Sequence, residues 1–507
     1  MKQVNRWAVL VILSAALAVI SLDNTIVNVA LPRLQEDLGA TTSQLQWVID
    51  AYSVVFAGSL LLAGSLGDRF GRRRMLLTGL GIFILGSLLA VTVDNASTLT
   101  ACRALMGLGG AFIMPSTLSI LVQVFRDPKE RAQAIGTWAA VAGLGVAIGP
   151  IVGGLLLEHF SWHAIFWVNP PIAAAVFVAV LLLVPESLDP SKPRLDLLGA
   201  VLSGIGLIAL VVTIIEIPDA GIDVFTITTA LIAVISLGSF IWWEKRAPRA
   251  LLPLQYFKQR VFSSSIVIVA MVYFALMGAM FFLPQFLQLV QGMTPLQSGI
   301  AVLPGAGGLL TASLVSPKLA DRFGTKRLVV IGMSVVTVGM VFFSFLTIST
   351  PYAYVGIVFG AIGAGLGLTL PQATNGVLSS VPTERSGMGS AVNDAMGELG
   401  GSFGVAILGA TMSICYRQNI EHAITEAGAN ISLLPASAVA AARESLAAAS
   451  IAGAQIPDSL GIIYREVVGK AFVTGMTWAL LIGAGVSLVG VLIAWKFLPQ
   501  HVERVEE

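Results

Sequence analysis

Fourteen stretches of this 507-residue chain are each apolar for long enough to cross a bilayer as an α-helix, which takes about 20 residues. They run roughly over 8–31, 45–66, 75–93, 98–123, 132–157, 163–184, 196–215, 224–243, 262–284, 297–318, 327–347, 353–376, 386–414 and 470–497. Composition agrees. Charged residues make up only 11% of the chain and hydrophobic residues 56%, and the mean hydropathy is +0.87. A soluble chain carries about 25% charged residues, and at this length it would divide into several domains, each needing a polar skin. The fold class expected is an all-α polytopic membrane protein. A net charge of +1 gives no bulk field to recruit nucleic acid.

Lysine and arginine placement sets the orientation. With the N-terminus inside, the cytoplasmic face holds Lys2, Arg6, Arg69, Arg72, Arg73, Arg74, Arg126, Lys129 and Arg131. It also holds Lys192, Arg194, Lys245, Arg246, Arg249, Lys258, Arg260, Arg322, Lys326, Arg327 and Arg385. The opposite face has Arg33 and a few basic residues after the thirteenth segment. Both termini are then cytoplasmic, with the tail His501 to Glu507 returning to that side. The first apolar run carries Asp23 and ends at Pro32 without a small-residue cleavage site, so it reads as a span and not a signal peptide. Cys102 and Cys415 form no framework and are expected to be free thiols near one membrane face.

The chain repeats itself. Gly64-Ser-Leu-Gly-Asp68-Arg69-Phe-Gly71-Arg72 returns as Pro317-Lys-Leu-Ala-Asp321-Arg322-Phe-Gly324-Thr325, and Pro128-Lys-Glu-Arg131 returns as Pro382-Thr-Glu-Arg385. The first motif joins segments 2 and 3 and its echo joins segments 10 and 11, a displacement of eight helices. Two six-helix halves with two inserted helices explain this: 1–190, the insertion 191–250, and 251–507. The inserted helices are expected at the periphery. Parallel repeats of this kind place a binding site between the halves near the midplane. Residues 415–466, rich in Ala but also in Asn, Glu and Arg, read as an extracytoplasmic loop with one or two amphipathic helices.

Charges inside spans cost about 2.5–3.5 kcal/mol each on insertion scales, so they invite a functional explanation. Asp23, Asp50, Asp394 and Glu398 qualify, with Arg103 as the basic candidate. Asp23 and Asp50, with Arg103, are candidates for proton coupling, although a structural Asp50–Arg103 pair is an alternative. Asp394 and Glu398 stand at i and i+4 and share a helix face. Two acids on one buried face repel each other and are suited to exchanging protons. Gln285, Gln288, Gln372 and Asn375 could line a cavity or join helices. The small-residue run Gly145, Gly149, Pro150, Gly153 and Gly154 allows close helix approach and a bend. Asp68 with Arg69 and Arg72, between Gly64 and Gly71, can latch the two halves through charge pairs and helix termini, or simply anchor topology.

These motifs resemble the major facilitator superfamily, and within it the fourteen-helix drug:proton antiporter branch of the QacA/EmrB type. Gly64–Arg74 looks like its loop signature and Arg103-Ala-Leu-Met-Gly107-Leu-Gly109-Gly110 like its helix-4 signature. Gly145 to Gly154 looks like the helix-5 antiporter signature, and Leu22-Asp23-Asn-Thr-Ile-Val-Asn28-Val-Ala-Leu-Pro32 like that of helix 1. The resemblance implies the major facilitator fold and export of amphiphilic, cationic compounds in exchange for protons by alternating access. It matches Asp23 and Asp50 to acidic positions of this branch and Asp394 and Glu398 to an acidic pair that helps accept cationic drugs. With these, Gln285 and Asn375 are candidates for substrate beside Asp23, Asp394 and Glu398, and Arg103 is a candidate for proton coupling beside Asp23 and Asp50, from their place in the spans. Gly64, Asp68, Arg69, Gly71, Arg72, Gly145, Gly149, Pro150, Gly153, Gly154 and Asp321 become conformational motifs. The chain departs from some relatives at Leu303-Pro304-Gly-Ala-Gly-Gly-Leu-Leu-Thr311, where they carry an acid.

The expected setting is a bacterial plasma membrane, with the chain a monomer among lipids and small amphiphilic or cationic substrates and protons as its partners. No cofactor beyond the proton gradient is expected. Gly107-x-Gly109 and Gly143-x-Gly145 lie inside spans without a Gly-Lys-Ser/Thr sequence, which argues against a nucleotide site. Four scattered histidines offer no metal-ligand set, so no enzyme chemistry is expected. Export of a native amphiphile, such as a lipid or secreted metabolite, would use the same carboxylates. A membrane sensor on a transporter scaffold is a remote third reading.

Overall fold

The computed structural model describes residues 5–38, 40, 42–188, 196–247, 251–427, 434–444, 449, 452–453, 456 and 458–500. Among these residues fourteen helices are long and apolar enough to cross a bilayer. The first seven are α1 (Arg6–Leu38), α2 (Thr42–Phe70), α3 (Arg72–Ala90), α4 (Ala96–Val124), α5 (Pro128–His159), α6 (Ala164–Leu183) and α7 (Leu197–Ala220). The rest are α8 (Val224–Glu244), α9 (Arg260–Gln285), α10 (Leu296–Phe323), α11 (Thr325–Phe343), α12 (Tyr352–Ser379), α13 (Ser386–Ala427) and α14 (Asp458–Phe497). Lys2, Lys192, Arg194, Arg249, the tail 501–507 and the boundary residues 190, 191 and 250 lie outside the described residues.

Short polar side chains set where helices begin. Asn95 accepts the Thr98 N–H to start α4, and Asp127 accepts those of Lys129 and Glu130 to start α5 with Pro128 in its first turn. Asp223 and Thr226 cap α8 reciprocally. Some spans are broken. Within α6 the chain is interrupted at Val168, and Asn169-Pro170-Pro171 opens the second piece.

Helix pairing repeats at an offset of eight. α1 packs on α5, α2 on α4 and α3 on α4; in the second half α9 packs on α13, α10 on α12 and α11 on α12. Two turns echo each other as well. Gly71 and Gly324, after α2 and α10, take φ of 114° and 86°, which glycine adopts without a side-chain clash. Each meets the segment that follows the last helix of its half: Gly71 lies against Glu186 and Gly324 against Gln500. Between the halves, α5 packs on α10 and α12, while α13 packs on α2 and α4.

α8 is peripheral, with Leu231, Val234, Ile235 and Trp242 exposed on an apolar face. α7 is not: it packs on α8, on α2 and on α13. Gly58 and Gly204 bring α2 and α7 together, since a methyl at Gly204 would sit 3.0 Å from the Gly58 carbonyl oxygen. Asp196 accepts the Trp243 indole N–H at 2.9 Å, and Glu244 accepts the Leu251 and Leu252 N–H groups.

The segment 415–466 differs from the expected loop. α13 continues unbroken to Ala427, and α14 begins at Asp458. Hydropathy falls after residue 414, but residues 415–427 contain neither Gly nor Pro, so nothing ends the helix there. A short helix, Ala436–Glu444, packs against these extensions. The Tyr416 hydroxyl donates to the Ala442 carbonyl at 2.9 Å, the Tyr464 hydroxyl donates to that of Ala449 at 3.0 Å, and Arg443 pairs with Glu421 at 2.8 Å. Cys102 is buried, Cys415 is half-buried, and both are free thiols.

Candidate functional site

Polar groups inside the spans gather in three places. The first is the end of the bundle that carries Arg6, Asp68 and Arg131, here termed the basic end. Asp68, at the end of α2, is 5% exposed. It accepts from Arg72 Nη2 at 2.7 Å and from Nε at 3.0 Å. It also accepts the backbone N–H of Gly387 at 2.9 Å and of Met388 at 3.1 Å. A carboxylate in the first turn of α13 is favoured by the helix dipole and by otherwise orphaned N–H groups. Arg72 continues across the interface, donating to the carbonyls of Thr383 and Glu384. Gly64 matters because its backbone touches that of Gly387. Arg131 of α5 donates to Asn375 at 3.4 Å and to Ser379 at 3.2 Å on α12. The halves are therefore joined at the basic end. Arg69 is half-buried, over the Phe70 ring. Asp321, the echo of Asp68, is exposed.

The second centre lies inside the first half. Asp23 on α1 is 0% exposed. Its Oδ2 accepts from Arg103 Nη1 at 2.5 Å and its Oδ1 from Asn169 Nδ2 at 2.6 Å. Arg103 also donates from Nε to the Val48 carbonyl at 3.2 Å, and Asn169 to Ser87 at 3.3 Å. One carboxylate thus ties α1, α3, α4 and α6 together. The ion pair of Arg103 runs to α1, where the sequence offered Asp50 on α2 as an alternative. Asp50 is half-buried, two residues before Tyr52. The Tyr52 ring lies 4.7 Å from the Arg103 guanidinium carbon.

Glycines make this cluster possible. A methyl at Gly107 would overlap the Tyr52 backbone, and one at Gly110 would lie 2.6 Å from the Tyr52 hydroxyl. On α5, methyls at Gly145, Gly149 and Gly153 would press into Ser21, Thr25 and Ile26 of α1, on both sides of Asp23. Gly154 faces Leu296 of α10 at ordinary distance, and Pro150 lies against Gly299. The small-residue run is therefore the seat of α1 on one side and of the second half on the other.

The third centre is on α13. Asp394 is 3% exposed. Its Oδ1 accepts from Asn393 Nδ2 at 3.1 Å, and its Oδ2 is buried with no hydrogen-bond partner among the described residues. Glu398, one turn on, is half-buried. The Tyr273 ring of α9 lies against Gly397, between the two acids in sequence. Gln285 donates to its own helix at Phe281 and Gln372 to Ser316 of α10. Asn375 is drawn into the contact with Arg131, away from the α13 acids. In the Leu303–Thr311 stretch, Gly307 faces open space and Thr311 is exposed.

Three participants escape a sequence reading: Asn169, Tyr52 and Tyr273. An Asn before a Pro pair reads as a helix cap, and aromatic residues in an apolar span read as packing. Only the Trp47–Tyr52 stretch carries a signal, since it sets an acid two residues before an aromatic inside a span.

The family model described as Major Facilitator Superfamily matches residues 13–405. The chain is 35% identical over 490 residues to multidrug efflux pump LfrA of Mycolicibacterium smegmatis, covering 96% of each chain. It is 32% identical over 491 residues to the tetracenomycin C resistance and export protein of Streptomyces glaucescens, covering 96% of this chain and 91% of that one. It is 30% identical over 501 residues to methyl viologen resistance protein SmvA of Salmonella typhimurium, covering 99% and 100%. Among solved structures, the proton:xylose symporter XylE superposes with a TM-score of 0.66 at 14% identity, covering 99% of this chain and 98% of that one. That likeness shows the fold.

Proposed function

The chain belongs to the major facilitator superfamily, in its drug-efflux branch, and from that premise we propose that it exports amphiphilic cations from the cell in exchange for protons. It is a multi-pass transporter of the cell membrane. The observation that carries the reading is Asp394 Oδ2, a carboxylate oxygen buried in a membrane span with no hydrogen-bond partner among the described residues. A buried charge left uncompensated is expensive. Such a group is satisfied by a proton or by a cationic ligand, and it cannot hold both. Competition between the two is antiport. Glu398 beside it can share a cation or take the second proton.

Asp23 and Arg103 respond to the same gradient from within the first half. When Asp23 is protonated its pairing with Arg103 weakens, and the α1–α4 contact that the pair fixes can change. Asp50 of α2, half-buried, is a second carboxylate of the first half that can take part in the exchange. The basic end is placed in the cytoplasm, because it gathers the arginines and lysines. Joined there, the halves take the arrangement in which the cytoplasmic path is shut. The membrane potential assists, contributing about 2.3 kcal/mol per charge per 100 mV. One monomer carries a complete set of these groups and works alone.

The test is transport by purified protein in proteoliposomes with an imposed pH gradient, using labelled tetraphenylphosphonium beside a neutral amphiphile. Gradient-dependent movement of the cation supports the reading. Movement of the neutral compound alone would favour export of a native amphiphile, and a name such as tetracenomycin C export protein among the relatives keeps that outcome in view.

A further inference from the structure

Asn393 and Asp394 stand side by side on α13, each 3% exposed. Asn393 donates from Nδ2 to Asp394 Oδ1 at 3.1 Å. The orientation follows from the chemistry. An ionised carboxylate only accepts, so the amide turns its N–H groups toward it and keeps its oxygen for another donor. Two acceptors are left over. Asn393 Oδ1 and Asp394 Oδ2 are both buried, and neither has a hydrogen-bond partner among the described residues. Each sits on the same planar group as one atom of the 3.1 Å contact, so the two belong to one pocket. Glu398, one turn on, is a further acceptor when ionised and brings no donor. One turn the other way, Ser390 meets Ser119 of α4 at 3.2 Å, a buried contact between the halves. The pocket therefore lies directly beyond the contacts that join the halves at the basic end. On α9 the Tyr273 ring rests against Gly397 and Met277 against Gly401, which supplies an apolar wall.

A buried acceptor without a donor carries its full desolvation cost. A quaternary ammonium or phosphonium ion neutralises Asp394 but offers no N–H, and both oxygens stay bare. A protonated amine, amidine or guanidine brings charge and donors together. We propose that Asn393 and Asp394 form one recognition site for cations that carry at least two N–H donors. Asp394 supplies the opposing charge and one acceptor, and Asn393 supplies the second acceptor. The apolar wall on α9 takes the non-polar part of the same molecule. Asn393 thereby sets which cations are preferred, not whether cations bind. A site built to accept N–H groups rejects the analogue that lacks them, because its own polar atoms are then left unpaired.

The inference rests on the cation-export reading above and narrows its substrate class. The probes are labelled phenylbutylammonium and its mono-, di- and trimethylated nitrogen analogues, a ladder of equal charge with three, two, one and no N–H donors. Alkylamines titrate near lysine, at about 10.4, so every rung is a cation at neutral pH. Binding to purified full-length protein is read by equilibrium dialysis in detergent. Wild type is expected to hold the first two cations within about threefold of each other and to lose about tenfold at each later step, the size of one hydrogen bond to a charged group. Asn393→Val should remove one of those steps while the trimethylated cation binds within about threefold of wild type. Asn393→Thr has the same shape with an oxygen, and should restore the step. A flat ladder on wild type overturns the inference. So does an Asn393→Val variant that weakens all four cations by one factor, because that pattern belongs to a structural role. Should Asn393→Val fail to fold, the wild-type ladder decides the matter alone. The export reading is judged separately, by gradient-driven accumulation of tetraphenylphosphonium, which has no N–H. If that accumulation is absent and the ladder is stepped, the export reading fails and the site stands. If accumulation is present and the ladder is flat, this inference alone is overturned.

Discussion

The carboxylate of Asp68 caps a helix that belongs to the other half of the molecule: it accepts the N–H of Gly387 at 2.9 Å and holds Arg72 at 2.7 Å with its Oδ1. An ion pair between the end of α2 and the start of α3 is thereby turned into a contact between halves. It is also close to the α13 acids. Gly387 and Asp394 are seven residues apart, about 10 Å along the helix.

Asp68→Asn keeps the side-chain shape but removes the charge from two charge-assisted contacts. Hydrogen bonds to charged groups contribute about 1.5–3 kcal/mol each. The population open at the basic end should rise about tenfold, with turnover slowed and substrate affinity little changed. Asp321→Asn should do far less, because Asp321 is exposed. Spin-label distances between the basic ends of α2 and α13 measure this. Unchanged distance distributions in both variants would reduce the motif to a topological anchor.

Asp23→Asn should abolish gradient-driven transport. It should also destabilise the protein by about 3–5 kcal/mol, since it strands Arg103 in a buried site. Adding Arg103→Gln should recover much of the lost thermal stability but none of the transport. A double variant that still pumps against the gradient would remove the pair from the coupling mechanism.

Replacing Asp394 with Asn and Glu398 with Gln should weaken binding of tetraphenylphosphonium by about tenfold or more, the loss of roughly 1.4 kcal/mol or above, while a neutral amphiphile of similar size loses little. Binding is read by equilibrium dialysis in detergent. Equal losses for both compounds would mean that the acids hold helices together and do not recognise charge.

The α5 glycines should rank by what they touch. Gly149→Val drives methyl groups into Thr25 and should cost about 1–3 kcal/mol or displace α1, as overpacking does. Gly154→Ala meets only Leu296, at 3.6 Å, and should be nearly silent. Thermal melts and transport rates for the two variants test the ranking. A Gly154→Ala defect as large as that of Gly149→Val would mean that helix flexibility, not close approach, is what the run supplies.

Hydropathy placed all fourteen spans because in lipid the burial of apolar surface is a local property of the chain. The Asp68 motif stood out because it is repeated in sequence. The partner of Arg103 was not legible: whether α4 meets α1 or α2 at that level depends on tertiary packing, and both carry an acid. Asn169 was hidden for a related reason, since its role depends on α6 packing against α1 and α3, which brings it to Asp23. The length of α13 was misread because a membrane boundary and a helix end are different things. A helix leaves the bilayer and continues wherever no Gly or Pro stops it, as at Cys415–Ala427.

The wedge of α7 between α2 and α13 has a kinematic consequence. Where two rigid bodies turn against each other, points far from the hinge line sweep wide arcs and points beside it scarcely move. The Gly58–Gly204 contact is backbone against backbone, and the cluster of Val54, Ala57, Val211 and Val212 extends it with Leu399 of α13 packed alongside. Seams this tight do not tolerate sliding of several ångströms. α7 therefore belongs next to the pivot, and the hairpin it forms with α8 acts as a bearing that fixes where the hinge line runs.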